Sequence, residues 1–246
     1  MAQGSTSGRT TKLQGPPRVD IISIGTLSRN RIWGESEAVR TAHATCTLIR
    51  VGGKSILVDP GLPAAAMGAR LYERTGMAPG QIDTVFLTNF RPSHRAGLAL
   101  FGHAKMLIHE NEEASARQQI EQLLEEAPAE DLDRTALRAE LDVLDRLSPA
   151  PDSLAKNVDL FPLFGYTPGT CGILIALPTT TLIIAGDAVP TQDHFLSGQA
   201  LPDAQDIAGA HESMKEVFEI ADWIVPGHDN LFANPGRMAG SAAGLA

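Results

Sequence analysis

A chain of 246 residues, 43% of them hydrophobic, is long enough to bury one large core and suits a single α/β domain. Its net charge of −9 argues against a nucleic-acid partner, because affinity for phosphate backbones comes from clustered Lys and Arg. The two cysteines, Cys46 and Cys171, form no CxxC pair, which fits a reducing compartment, and no apolar run reaches the roughly 18 residues of a membrane span.

In chain order, MAQGSTSGRTTKLQGPPR lacks the apolar core of a signal peptide. Residues 1–18 are expected to form a disordered arm, and the protein to be cytoplasmic. From about Val19 to Gly61 the chain is strand-rich: VDIISIG, then TCTLIRV, a GG turn and KSILVDP, which reads as a hairpin. IDTVFLTNF and KMLIHE are two further strands. Between them LTNFRPSHRAGL feeds a helix expected to start near His94. Residues 111–147 read as a helix pair, with apolar stripes at Ile120, Leu123, Leu124 and Ala127, then at Leu137, Leu141, Leu144 and Leu147. That pair either packs on its own domain or supplies a homodimer contact, a lid or a scaffold. GILIALP and TLIIAGD form a second hairpin, a helix covers roughly Ala210 to Ile220, and ADWIVP is a last strand. Residues 235–246 are expected to be a flexible tail, leaving one domain over 19–234.

Several strands end in polar residues beside Gly or Pro, a common way to build a site on a rigid sheet. These are Asp59, the run Asn89 to His94, Thr170, Asp187 and His228. Asp59, before Pro-Gly, reads as a turn residue. Asp187 follows LIIAG into what should be a dry interior, where a carboxylate needs a cation or donors. His43 is placed by the pocket or at a strand end, His109 at a strand end, His103 in a turn and His211 at a helix start. Asp193 and His194 read as loop residues or as rescuers of a metal site. Cys171 reads as a buried inert thiol or, beside His228, as a nucleophile.

In order and flanks these segments resemble the metallo-β-lactamase superfamily from about Val19 to Phe232. LTNFRPSHRAGL lines up with the family's Leu-Thr-His-x-His-x-Asp-His-x-Gly-Gly loop, YTPGTCG with its Thr-Pro-Gly-His-Thr turn, IIAGDAV with its bridging aspartate and VPGHDN with its last histidine. The resemblance implies an α/β fold, an αββα sandwich of mixed sheets with helices outside, and an edge site for two metal ions and a bridging hydroxide. Of the family's seven ligand positions the chain keeps His94, Asp187 and His228. Asn89 and Arg91 stand for the paired histidines, Ser93 for the aspartate and Thr170 for the turn histidine.

Arginine has no lone pair to give a metal, and Asn and Thr oxygens are weak ligands for zinc, so the first ion position is expected to be lost. His94, Asp187 and His228 can hold one divalent ion, Zn or Fe(II), or none. A guanidinium about 5 Å from such an ion costs on the order of 6 kcal/mol at an effective dielectric of about 20. Arg91 is therefore expected either to swing outward or to pair with Asp187 in the ion's place. Serine at position 93 cannot serve as general base. The first functional expectation is a non-hydrolytic or rewired member binding a small anionic molecule or a partner through Asn89, Arg91, Ser93, Thr170, His94 and His228. The alternative is a mononuclear hydrolase of ester, thioester or lactone-like bonds, with Asp187 and His94 in the catalytic roles. Neither reading involves nucleic acid or membrane.

Overall fold

The computed structural model describes residues 15–126 and 132–237. The expected N-terminal arm up to residue 14, the tail from 238 and the stripe position Ala127 lie outside them. Within them, Arg18 already belongs to the first strand, β1 (Arg18–Ser23), and Arg237 reaches back to Asp222.

Two six-stranded sheets carry the fold. The first runs β1, β2 (Cys46–Val51), β3 (Lys54–Val58), β4 (Thr84–Leu87), β5 (Lys105–Ile108) and β6 (Ser148–Pro149), side by side in chain order. The second holds β7 (Ser153–Ala155), β8 (Val158–Pro162), β9 (Cys171–Ala176), β10 (Thr181–Gly186), β11 (Trp223–Pro226) and β12 (Phe232–Ala233). The GG hairpin is real: Gly52 and Gly53 have φ of 59° and 79°, which is what a two-residue turn between twisted strands requires. The β4 and β5 strands run parallel to β3, and β11 runs parallel to β10.

The central strands bury both faces, which is why they read as near-continuous apolar runs. Leu48 and Leu57 point outward to Met67 and Leu71 of α1 (Ala64–Thr75) and Ile120 of α3 (Glu110–Glu126). Their neighbours Ile49, Ile56 and Val58 point inward to Ile173, Ile184 and Val225 of the other sheet. On the far side Ile183 and Ile224 meet Met214 and Val217 of α6 (Ile207–Ile220). Three apolar layers between four structural layers make the αββα sandwich.

The helix pair α3 and α4 (Leu132–Leu144) packs on its own domain through Ile120, Leu144 and Leu147, whereas Leu123 is exposed. The helix expected at His94 is a single turn, α2 (Pro92–Arg95), opened by Pro92 at its first position. The α6 helix begins three residues earlier than its apolar spacing indicates, because Asp206 caps it by accepting from Gly209 N. No helix among the described residues is long and apolar enough to cross a membrane.

Candidate metal and ligand site

The loops after β3, β4, β10 and β11 leave the carboxyl ends of parallel-paired strands and meet at the edge of the sandwich, where open α/β sheets place ligands. They bring His94, Asp187 and His228 together; one ligand atom from each lies within 4.8 Å of the others, and all three residues are buried. Asp187 Oδ2 is 2.9 Å from His94 Nε2 and Oδ1 is 3.0 Å from His228 Nε2. Glycine at 227 is required here, because a Cβ there would lie 2.6 Å from Asp187 Oδ1.

Both imidazoles are held by their other nitrogen. His228 Nδ1 lies 3.1 Å from the Thr26 carbonyl and 3.0 Å from that of His43, so it carries a proton and donates. His94 Nδ1 lies 3.1 Å from Asp59 Oδ2. Asp59 is thus a member of the site and not merely a turn residue. It sits in the left-handed region at φ 50° and accepts from the amide and hydroxyl of Thr88 at 2.9 and 2.7 Å. Sequence reasoning passed over it because Asp before Pro-Gly has an ordinary turn explanation; the signal was its place at the end of the buried run SILV.

With both Nδ1 atoms engaged, both Nε2 atoms face one carboxylate. Burial alone would lower the His94 pKa, but the charges of Asp187 and Asp59 overcome it and raise it to about 10. Burial likewise works against the Asp187 carboxylate, and the two imidazoles hold it well below its usual range. Asp187 Oδ1 faces His228 Nε2 at 3.0 Å but is a buried oxygen without a hydrogen bond. An orphaned carboxylate oxygen between two imidazoles anchored through Nδ1 fits one divalent ion, which would displace the proton from His94 Nε2.

The replaced positions behave differently. Asn89 is fully buried; its Oδ1 accepts from Arg91 N at 3.0 Å and its Nδ2 donates to Asp187 Oδ2 at 2.9 Å. Arg91 does not pair with Asp187, which corrects one of the two expectations for it. Asp187 Oδ2 is already taken by Asn89 Nδ2 and His94 Nε2, each at 2.9 Å. The guanidinium lies over the Tyr166 ring, 5.2 Å from its centroid, and 4.0 Å from Asp203. Thr170 is buried, and its hydroxyl bonds to Thr167 at 2.6 Å instead of facing Asp187.

A cavity of about 410 Å³ opens beside His228, lined by Ser93, Tyr166, His194, Arg29 and Arg31 among others. Burial and the Asp187 charge raise the Tyr166 pKa, so the phenol stays neutral. His194 reaches this cavity from α5 (Gln192–Ser197) with Nδ1 2.8 Å from Thr191 Oγ1, but it does not join the ion cluster, and Asp193 instead accepts from Trp33 Nε1. His43 contacts the Ile24 carbonyl through Nε2, and His109 contacts Phe164 edge-on. Cys171 is fully buried in the inter-sheet core and its thiol is pushed up to about 12 by burial, so it is no nucleophile. Thiol reagents are expected to reach it only after unfolding; reaction within minutes under native conditions would reverse that assignment.

The family model described as the metallo-beta-lactamase superfamily matches residues 40–228. No curated protein matches the chain. Among solved structures, a candidate metal-dependent hydrolase from Staphylococcus aureus aligns with a TM-score of 0.69 at 14% identity, covering 90% of this chain and 94% of that one. A candidate metallo-β-lactamase from Thermotoga maritima gives 0.63 at 16%, covering 89% and 99%. AidC, a dizinc quorum-quenching lactonase, gives 0.62 at 17%, covering 87% and 85%. At these identities the likeness speaks for the fold.

Proposed function

The chain belongs to the metallo-β-lactamase superfamily, and on that footing we propose that it is a member cut down to one ion position, which binds a small anionic molecule in the cavity beside His228 without hydrolysing it. The observation that carries this reading is the Asn89 amide seated on Asp187 Oδ2, where the resemblance calls for a first-ion histidine. The replacement of the family's aspartate by Ser93 adds to it, since a serine cannot take a proton from water at neutral pH.

His94, Asp187 and His228 would hold the ion, which when bound supplies a Lewis acid. The chain's own residues do the rest. Asp59 and two backbone carbonyls fix the imidazoles. Arg29 and Arg31 line the cavity, and Arg31 makes no ion pair among the described residues, so its guanidinium can meet a carboxylate or phosphate. Ser93 offers a hydroxyl donor, while the Tyr166 hydroxyl donates to Asp203 at 3.4 Å.

Titration calorimetry with hexanoate and with inorganic phosphate tests this. Binding of one of them, weakened about 10-fold or more in Arg31→Ala by loss of a charge-assisted contact, is the expected result. No heat with either anion would sink the reading. The orphaned Asp187 Oδ1 favours a second one, a mononuclear hydrolase. Zinc-loaded protein that cleaves simple esters or lactones, and loses the activity in His228→Ala, would establish it instead.

A further inference from the structure

A second buried carboxylate joins the two segments that carry the replaced ligand positions. Glu112, in the first turn of α3, is 3% exposed and makes no ion pair among the described residues. Its Oε1 accepts from Phe90 N at 2.8 Å, and its Oε2 accepts from the Thr167 hydroxyl. Phe90 lies between Asn89 and Arg91. Thr167 opens the turn that closes on Thr170, whose hydroxyl accepts from Thr167 N at 3.0 Å. The contact is close along its whole length, because a Cβ on Gly169 would lie 2.0 Å from Glu112 N. Phe90 is also fixed from the other side: Arg95 Nε donates to its carbonyl at 2.8 Å, with the guanidinium 4.0 Å from the centre of the ring.

A buried carboxylate with two donors and no cation is expensive unless both donors are held in place. We propose that Glu112 is a positioning residue of the site. Its carboxylate clips the Asn89–Arg91 loop to the Thr167–Thr170 turn, holding with hydrogen bonds two segments that a first ion would hold through histidines, and so seats the Asn89 amide on Asp187. Removing the carboxylate frees Phe90 N, and the neighbouring Asn89 loses its register. Glutamine keeps the clip: its oxygen accepts from Phe90 N, its amide donates to Thr167, and the Thr167 hydroxyl turns to donate to Thr170. The clip is independent of what the cavity holds.

The test uses full-length protein and two readouts, the side-chain amide NMR signal of Asn89, assigned by its loss in Asn89→Asp, and the affinity for Zn²⁺. In Glu112→Ala the Asn89 signal is expected to move and its proton exchange to accelerate. Zn²⁺ binding is expected to weaken about 10-fold, as for loss of an outer hydrogen-bond partner, while Glu112→Gln stays near the parent. A Glu112→Ala protein that melts lower but leaves the Asn89 signal and Zn²⁺ affinity unmoved would make Glu112 a packing residue and overturn the proposal. If Glu112→Ala does not fold, Thr167→Val takes its place, with the same shifts expected at smaller size and the same null overturning it. If the parent binds no Zn²⁺, the one-ion position fails, and the Asn89 signal alone decides the clip.

Discussion

Elemental analysis of protein purified without a histidine tag is expected to find no more than one zinc per chain, and the triple variant Asn89→His, Arg91→His, Thr170→His to bind one more. The retained donors His94, Asp187 and His228 converge within 4.8 Å, enough for one ion. Asn89 spends its amide on Asp187 and Thr170 its hydroxyl on Thr167, so neither is free to ligate. Arg91 points to Tyr166 and Asp203, which spares the retained position most of the repulsion a nearer guanidinium would exert. Three neutral imidazoles restore the donor type zinc prefers, and a fully ligated zinc site is worth roughly 10–16 kcal/mol. The change is thus one of stoichiometry, easily measured. Two zinc ions in the parent would mean that the first position survives through other ligands, and no gain in the folded variant would mean that the loops no longer support it.

Asp187→Ala should destabilise the chelator-treated protein by about 3–5 kcal/mol, because it leaves buried imidazoles without their counter-charge. Urea unfolding measures this, and a loss under about 1 kcal/mol would show that the carboxylate is not electrostatically engaged. The pH dependence has a definite sign. The Asp187 pKa is held below its unfolded value of about 3.9, so its contribution is complete above that value and disappears as pH falls beneath it. The His94 pKa is raised to about 10, so its contribution is complete below the unfolded value of about 6.5 and fades as pH rises through 10. Stability should be greatest between about pH 4 and 6.5 and decline on the alkaline side. In Asp187→Ala the alkaline decline should shrink, since only Asp59 then faces His94.

Much of this was readable from residues alone. Hairpins marked by GG and by alternating runs placed the strands, strand ends gave a set of candidates that included His94, Asp187 and His228, and the family resemblance singled out those three as retained ligands. What escaped depends on side-chain direction and on distant neighbours. Arg91 has a long stem, and its approach to Asp203 rather than Asp187 depends on neighbours that only the fold supplies, Tyr166 beneath it and Asn89 on Asp187. Glu112 looks like one more acid in ENEEASAR, and only the fold brings it to Phe90 and Thr167, 22 and 55 positions away. Helix periodicity likewise put Leu123 in the stripe, but the helix turns it toward an open groove.

The cluster takes His94 and Asp59 from one sheet and Asp187 and His228 from the other, and nearby backbone bonds from Thr45 to Gly227 and from Cys171 to Thr88 cross the same join. It is a seam fastening, and the two leaves cannot part without dismantling it. Whatever binds there should report itself by melting temperature, adding about 2.7 kcal/mol of stability at a hundredfold excess over its Kd. A thermal-shift screen of small acids with and without zinc would therefore search for the natural occupant directly.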